Sequence, residues 1–253
     1  MNLILMGRDE VDAGGTAVLR DGRARHVIAV LKATPGQTLR IGIIDGPFGV
    51  GTVRAIDRQS VTLRCTLDPE TPPRPAVDLL LALPRPKVLR RLWAQLAALG
   101  VGRIILTNAA RVERNYFDTH VIGEDCYRPL LLEGLQQARD TRVPPVSVHR
   151  QFRRLVEDEL DGLSDAPVRW MADPQEAPRQ GVPYEKGVPD ETGRILLAVG
   201  PEGGWNDFER ELLAARGFAP MSLGTRILRV DTACIALLTI AHRSVPPTLS
   251  DSP

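Results

Sequence analysis

The chain has 253 residues, 43% of them hydrophobic, which predicts a folded protein of one or two domains with a sizeable core. No apolar run approaches the roughly 20 residues of a membrane helix, and the N-terminus lacks the basic start and cleavage site of a signal peptide. We therefore expect a cytoplasmic protein. Three scattered cysteines argue against both a disulfide framework and a zinc site, so no metal is expected.

Charge is distributed unevenly along the chain. Residues 1–154 contain 23 Lys and Arg against 15 Asp and Glu, whereas residues 155–253 contain 9 against 16. The net charge of +1 thus hides a basic first part, where nucleic acid would bind. All but three of the basic residues are arginine, which suits contacts with phosphate and stacking on bases. A compositional bias towards arginine explains this preference equally well, but it does not explain the uneven distribution of charge along the chain.

The N-terminal residues form short alternating segments separated by glycine, which is typical of a small β-barrel. The predicted strands are 2–6, 16–19, 38–44, 51–56 and 60–66, with one helix at about 23–31. A stiff proline-rich linker follows at 68–75. We therefore predict one domain over residues 1–70, a second over 76–244 and a disordered tail over 245–253.

Beyond the linker, apolar strands alternate with helices, which predicts an α/β domain with a parallel sheet. The predicted strands are 77–83, 103–107, 146–148, 168–172, 194–199 and 219–223. The predicted helices are 87–99, 128–139, 152–160, 207–216 and 233–241. The last helix is apolar on every side, so it should be buried within the domain or against a second subunit.

Two of these strands end in loops that contain glycine. Gly200-Pro201-Glu202-Gly203-Gly204 follows strand 194–199, and Gly224-Thr225-Arg226-Ile227-Leu228-Arg229 follows strand 219–223. Strands joined by one crossover helix are parallel, so both loops should lie at the sheet edge where open α/β sheets bind ligands. Neither a P-loop nor a G-x-G-x-x-G pattern is present, so we do not expect the ligand to be held by its phosphates.

The two loops together resemble the signature of the RsmE family, which methylates N3 of one uridine in bacterial 16S ribosomal RNA. The resemblance continues at Val112-Glu113-Arg114, at Gln136 to Pro144 and, more weakly, at His26 to Lys32. It implies a trefoil-knotted methyltransferase domain of the SPOUT type and an N-terminal PUA-like RNA-binding β-barrel. It also implies S-adenosylmethionine as methyl donor, a homodimer, and 16S ribosomal RNA or the 30S subunit as partner.

The resemblance and the expected sheet edge together predict the binding residues. The predicted cofactor-binding residues are Pro84, Val199, Gly200, Pro201, Glu202, Gly203, Gly204, Leu223, Gly224, Arg226, Ile227 and Leu228. The predicted RNA contacts are Arg8, Arg23, Arg25, His26, Lys32, Lys87, Arg114 and Arg142. For each RNA contact taken singly, a solvated surface role is the alternative.

Methylation at uridine N3 requires loss of the N3 proton, which puts negative charge on the uracil ring. An arginine aimed there would stabilise this charge, and Arg229 is the first candidate with Arg226 second. Glu202 and Asp231 are the candidate bases; alternatively, Glu202 braces its loop and Asp231 caps the last helix. The family usually has Glu at the position of Asp231.

The middle motif also departs from the family pattern. Gln136, Arg139 and Asp140 stand where the family commonly has Glu, Gly and Arg, and Arg142 is the retained basic position.

Two other functional classes stay open. Another knotted methyltransferase could methylate the ribose 2′-oxygen, but it would share the donor without sharing the middle motifs or the N-terminal barrel. A catalytically silent RNA-binding protein is the second alternative, and the intact glycine loops argue against it.

Overall fold

The computed structural model describes residues 2–173 and 193–245, and the chain divides into two compact units. The first unit contains residues 1–74 together with 131–143, and the second contains residues 75–130 together with 144–253. Apart from Val245, the predicted tail lies outside the described residues. A linear reading of the sequence did not foresee that residues 131–143 group with the N-terminal unit.

The first unit is built on a five-stranded sheet with the order β1-β3-β4-β5-β2. Its neighbouring strands are antiparallel except for β1 and β3, which are parallel. Alternate residues of these strands form the core, together with Ala24 and Val27 of helix α1. The elements are β1 (Ile4–Met6), β2 (Thr16–Leu19), α1 (Gly22–Ala29), β3 (Thr38–Ile43), β4 (Phe48–Ile56) and β5 (Val61–Leu67).

Residues 131–143 attach to the first unit through the turn between β3 and β4. The carbonyl of Thr141 accepts a hydrogen bond from the N–H of Asp45 at 2.8 Å, and its hydroxyl donates to the carbonyl of Gly46 at 2.7 Å. Thr141 is fully buried. These bonds join segments almost a hundred residues apart, which explains why the unit is discontinuous in sequence.

Helix α3 (Glu124–Ala138) ends in a turn that gives Arg139 and Asp140 separate roles. Arg139 has a left-handed backbone with φ of +60°, and the N–H of Asp140 donates to the carbonyl of Leu135 at 3.0 Å. This is a Schellman cap, whose left-handed position favours glycine. The Asp140 carboxylate accepts from the N–H groups of Thr141 at 2.6 Å and Arg142 at 3.0 Å, so it holds the turn.

Replacing Arg139 by Gly should raise the free energy of unfolding by about 0.5–1 kcal/mol. A non-glycine residue in the left-handed region costs roughly 1–2 kcal/mol, and the greater freedom of glycine in the unfolded chain offsets part of the gain. Urea denaturation measures the change. Asp45→Gly is the matched control: Asp45 also has a positive φ of 55°, but its carboxylate accepts from the N–H of Val143 at 3.0 Å. The Asp45→Gly change should therefore not raise the free energy of unfolding. An equal increase for Arg139→Gly and Asp45→Gly would contradict this explanation.

The second unit is built on a six-stranded parallel sheet with the order β11-β9-β10-β6-β7-β8. Strands β6 and β10 are buried along their whole length, as their continuous apolar runs predict. The polar exception is Asp78, whose carboxylate accepts from the Ser164 hydroxyl at 2.7 Å and from Arg194 at 2.9 Å. The strands are β6 (Val77–Ala82), β7 (Val101–Thr107), β8 (Val146–His149), β9 (Val168–Ala172), β10 (Ile195–Val199) and β11 (Phe218–Met221).

Helices cover this sheet. The helix predicted over 152–160 contains a π-helical turn at Leu155–Glu159, between α4 (Phe152–Arg154) and α5 (Leu160–Leu163). Within residues 2–173 and 193–245, no helix has the length and apolar character needed to cross a bilayer. Besides α3, the helices are α2 (Pro86–Ala98), α4 (Phe152–Arg154), α5 (Leu160–Leu163), α6 (Asp207–Ala215) and α7 (Val230–Ser244).

Helix α7 is the apolar helix predicted near the C-terminus. It packs on α2 and β10, and one face is buried through Cys234, Leu237, Leu238 and Ala241. Burial raises the pKa of the Cys234 thiol to about 12. The opposite face is half-exposed, so the second unit alone buries only part of this helix.

Candidate active site

Strands β9, β10 and β11 end at the same edge of the parallel sheet, and the loops after β10 and β11 enclose a cavity of about 200 Å³. All eleven predicted cofactor-binding residues of these two loops line the cavity. Pro84 is buried and does not line it. Strand β9 lies between β10 and β11, so the end of β9 also contributes to the cavity wall.

The glycine at position 200 is explained by a tryptophan that the sequence analysis did not select. Trp205 is 3% exposed and lines the cavity. A Cβ at Gly200 would lie 3.2 Å from two atoms of the Trp205 indole, so any side chain there would push the ring or the loop. Trp205 also packs against Phe152, with ring centroids 5.5 Å apart.

An acidic and a basic side chain that the sequence analysis missed also line the cavity. Asp173 follows β9 and is buried, and its Oδ2 lies 3.6 Å from Nε of Arg210 in α6. Arg210 also donates to the carbonyl of Trp205 at 3.1 Å. The position of Asp173 directly after a predicted strand was the available signal for including it.

Glu202, one of the two candidate bases, contacts the loop that follows β6. Its carboxylate accepts a hydrogen bond from the N–H of Arg85 at 3.1 Å. The side chain is exposed and also lines the cavity. The bond to Arg85 supports the alternative in which Glu202 braces the glycine loop.

Asp231, the other candidate base, lies in the first turn of α7 and forms an ion pair with Arg91 at 2.8 Å. Burial acts to raise the pKa of Asp231, but the hydrogen bonds from Arg91 and from the N–H of Thr232, together with the charge of Arg229, hold it below its ordinary value. A carboxylate with a lowered pKa is a weaker proton acceptor. The helix N-terminus stabilises the same negative charge, so the geometry favours a structural role.

The two candidate arginines differ in their relation to the cavity. Arg226 is exposed and lines it, whereas Arg229 is the N-cap residue of α7 and does not. The structure therefore favours Arg226 over Arg229 as the cation nearest to a bound ligand, the reverse of the order expected from the sequence.

Most of the predicted RNA contacts are accessible. Two are half-buried, His26 and Arg142. A guanidinium N–H of Arg142 donates to the carbonyl of Asp45 at 3.3 Å, which ties this side chain to the first unit. The exposed ones are Arg8, Arg25, Lys32, Lys87 and Arg114.

Arg23 is the exception, because its guanidinium is fully engaged within the first unit. It forms ion pairs with Glu10 and with Asp21, and it donates to the carbonyl of Leu5 at 2.7 Å. Hydrogen bonds from Arg23 hold the pKa values of both carboxyl groups below their ordinary range. These contacts assign Arg23 a structural role and argue against an RNA contact.

Replacing Arg25 by Ala should weaken RNA binding without lowering stability, whereas Arg23→Ala should lower the melting temperature. Each lost phosphate contact reduces the magnitude of the slope of log K for RNA binding against the logarithm of salt concentration by roughly one unit. Removing Arg23 takes the shared cation from two partly exposed carboxylates and the hydrogen-bond donor from the carbonyl of Leu5, which costs about 0.5–1.5 kcal/mol after solvent screening. Filter binding at several salt concentrations and thermal denaturation measure the two effects. Loss of RNA affinity in a fully stable Arg23→Ala protein would contradict the structural assignment.

Within the described residues, no three His, Cys, Asp or Glu side chains are grouped so that they could hold a metal ion.

Comparison with known proteins agrees with this geometry. Residues 71–242 match the model of the RNA methyltransferase domain family. The chain is 31% identical to the Ribosomal RNA small subunit methyltransferase E of Treponema pallidum in an alignment of 257 positions, which covers 97% of this chain and 95% of that protein. The chain belongs to the RsmE family. The RsmE protein 1 of Borreliella burgdorferi is 24% identical over 93% of this chain and 95% of its own length.

The fold is also that of a solved RsmE structure. The crystal structure of the enzyme from Neisseria gonorrhoeae, bound to S-adenosylmethionine, superposes with a TM-score of 0.74 at 20% identity, covering 96% of this chain and 97% of the other. The mixed α/β architecture with its parallel sheet, predicted from the sequence, is thereby confirmed.

Proposed function

We propose that this protein transfers a methyl group from S-adenosylmethionine to N3 of one uridine in 16S ribosomal RNA of the small ribosomal subunit. The observation that carries the proposal is the cavity formed by the two glycine loops, in a chain that matches an RsmE relative over 97% of its length. Because the substrate is ribosomal RNA, we place the enzyme in the cytoplasm.

The cavity fits such a donor. Its walls are the short loops 200–204 and 223–228, which offer backbone groups as hydrogen-bonding partners, and Gly200 lies directly against Trp205 without a side chain between them. The indole N–H of Trp205 is buried and has no hydrogen-bond partner within the described residues, so a polar ligand atom could satisfy it. The bound donor supplies a methyl group activated by a sulfonium.

The chain contributes mainly positioning and charge. Holding the uracil ring in line with the methyl group supplies most of the acceleration in such a transfer. Arg226, which lines the cavity, stabilises the negative charge that develops on the ring when N3 loses its proton. Asp231 fixes the start of α7 through Arg91 and does not take the proton in this account. The N3 proton goes to the carboxylate of Glu202, the other candidate base, which lines the cavity, and the donor leaves as the neutral thioether.

The trefoil knot is part of the proposal, and the strand order supports it. Strand β11 lies on the far side of β9 from β10, yet helix α7, which follows β11, packs against β10. The chain must therefore return across the end of β9 through the 222–229 loop. Such a return is the step at which a knot forms when the loop passes under an earlier segment.

We propose that the first unit is a PUA-like RNA-binding domain. The exposed basic residues Arg8, Arg25 and Lys32 support this assignment. The first unit as a whole is only slightly basic, with 12 Lys and Arg against 10 Asp and Glu. Small, mostly antiparallel β-sheet domains are a common platform for nucleic acid.

We also propose a homodimer that packs through α7. Ile235 and Ile240 are half-exposed on this helix, and Ile227 in the preceding loop is 87% exposed. Apolar surface of this kind favours self-association. Light scattering at micromolar concentration should give twice the 27.7 kDa mass of the chain, and Ile235→Glu with Ile240→Glu should reduce it to the monomer. Val50→Glu, at an exposed residue of the first unit, is the control. A wild-type mass of 27.7 kDa would contradict the dimer.

Transfer of a labelled methyl group tests the proposed activity. The protein should label small-subunit ribosomal RNA, presented either naked or in the assembled subunit, when S-adenosylmethionine is supplied. Binding of RNA without label in either form would favour the catalytically silent RNA-binding protein.

A further inference from the structure

The segment that follows β7 is attached by two side chains to the glycine loop after β10 and to helix α6, which follows that loop. The carboxylate of Glu209 accepts a hydrogen bond from the N–H of Ala110 at 2.6 Å. The guanidinium of Arg111 donates to the carbonyl of Gly203. The first contact is with the start of helix α6 and the second is with the glycine loop itself, and both lie within the second unit.

Glu209 is unusual because it is a buried carboxylate, 3% exposed, in the first turn of α6. One oxygen accepts from Ala110, and the other accepts from the N–H of Asn206 at 2.9 Å. Asn206 in turn accepts from the N–H of Glu209 at 2.8 Å, completing a capping box. A capping box needs only one of the two oxygens, so the bond to Ala110 is an additional function of this side chain.

Arg111 lies against the glycine loop and lines the cavity. A Cβ at Gly203 would lie 2.8 Å from Cδ of Arg111, so the arginine stem occupies the space that a side chain would need. Arg114, an exposed predicted RNA contact, follows three residues later. The segment 109–116 therefore carries one residue at the cavity and another that is available to RNA.

We propose that Glu209 and Arg111 are positioning residues that clamp segment 109–116 onto the start of α6 and the glycine loop that precedes it, and so fix the RNA base relative to the methyl donor. This inference rests on the proposed function. Because a misplacement of about 1 Å can cost roughly 100-fold in rate, a loosened clamp should slow methyl transfer more than it weakens donor binding.

The Glu209→Gln change removes one of the two hydrogen bonds that this side chain accepts, from Ala110 or from Asn206, with little change in side-chain shape. A carboxylate can accept from both N–H groups, whereas an amide has one acceptor oxygen and a donor NH₂, so one N–H loses its partner. Glutamine is compatible with a capping box, so we expect the bond to Ala110 to be lost. Asn206→Ala is the matched control, because it weakens the cap of the same helix and leaves the Glu209 carboxylate facing Ala110.

Three measurements on the full-length protein decide the matter: single-turnover methylation at saturating RNA, calorimetry with S-adenosylmethionine, and hydrogen exchange at Ala110. For Glu209→Gln we expect the methylation rate to fall by about tenfold or more, while the affinity for S-adenosylmethionine stays within about twofold of the wild-type value. Hydrogen exchange at the Ala110 N–H should be faster than in the wild-type protein. Asn206→Ala should lose stability while keeping its rate within about twofold. Arg111→Met should also slow transfer, and Arg111→Lys should restore part of the rate.

Several results would overturn the clamp. Unchanged exchange at Ala110 in Glu209→Gln overturns it whether or not the wild-type protein is active. A wild-type rate in Glu209→Gln, or an equal loss of rate in Asn206→Ala, removes the positioning role. A wild-type protein that does not methylate RNA refutes the proposed function instead, and the exchange measurement still decides whether the clamp exists.

Discussion

Replacing Gly224 by Val should weaken binding of S-adenosylmethionine by about tenfold or more. Gly224 has a φ of +106°, a conformation that a β-branched residue adopts only with strain. Such strain costs of order 1–3 kcal/mol, and each 1.4 kcal/mol corresponds to about tenfold in affinity. No atom lies within 4 Å of the Cβ that would be added, so the loss comes from the backbone of the loop and not from a clash. Isothermal calorimetry measures it.

Gly217→Val is the matched control for this effect. Gly217 also has a positive φ, 82°, and open space around its added Cβ, and it belongs to the same unit without lining the cavity. It should lose comparable stability and keep its donor affinity. Unchanged binding by Gly224→Val, or equal weakening by Gly217→Val, would show that the 223–228 loop does not form the donor site.

Replacing Arg226 by Ala should lower the single-turnover rate of methylation by roughly 100-fold, as removal of one group that stabilises a transition-state charge typically does. The reason is its position: Arg226 lines the cavity, whereas Arg229 lies at the N-cap of α7 outside it. Arg229→Ala is therefore the matched control and should retain most of the rate. Rapid-quench measurements at saturating RNA and donor give both values. A larger loss for Arg229→Ala would restore the order expected from the sequence.

The glycine loops could be located from the sequence because two local signals agreed. Each apolar strand ended in glycine, and the helix between the strands required them to be parallel, which placed both loops at one sheet edge. The strand order could not be obtained in the same way. That β9 lies between β10 and β11 depends on pairings between distant segments, and these leave no periodic pattern in the chain.

Side-chain partners were the other part that the sequence could not supply. Arg23 was predicted to contact RNA because it lies among other basic residues. In the structure it forms an ion pair with Glu10, thirteen positions away in the sequence. Asn206 and Glu209 have the spacing of a capping box in the sequence, but the bond between Glu209 and Ala110 depends on how the sheet brings α6 next to the segment after β7. Thr141 carries no chemical motif, yet it joins residues 131–143 to the first unit. Burial and long-range contact decide all three roles.

The chemical position of the transferred methyl group tests the central claim most directly. Small-subunit ribosomal RNA incubated with the protein and S-adenosylmethionine is digested to nucleosides, and the products are separated and identified by mass spectrometry against standards. The account predicts one new product, 3-methyluridine, formed at a single site and absent when Arg226→Ala replaces the wild-type protein over the same short reaction time. Formation of 2′-O-methyluridine with no 3-methyluridine would contradict it.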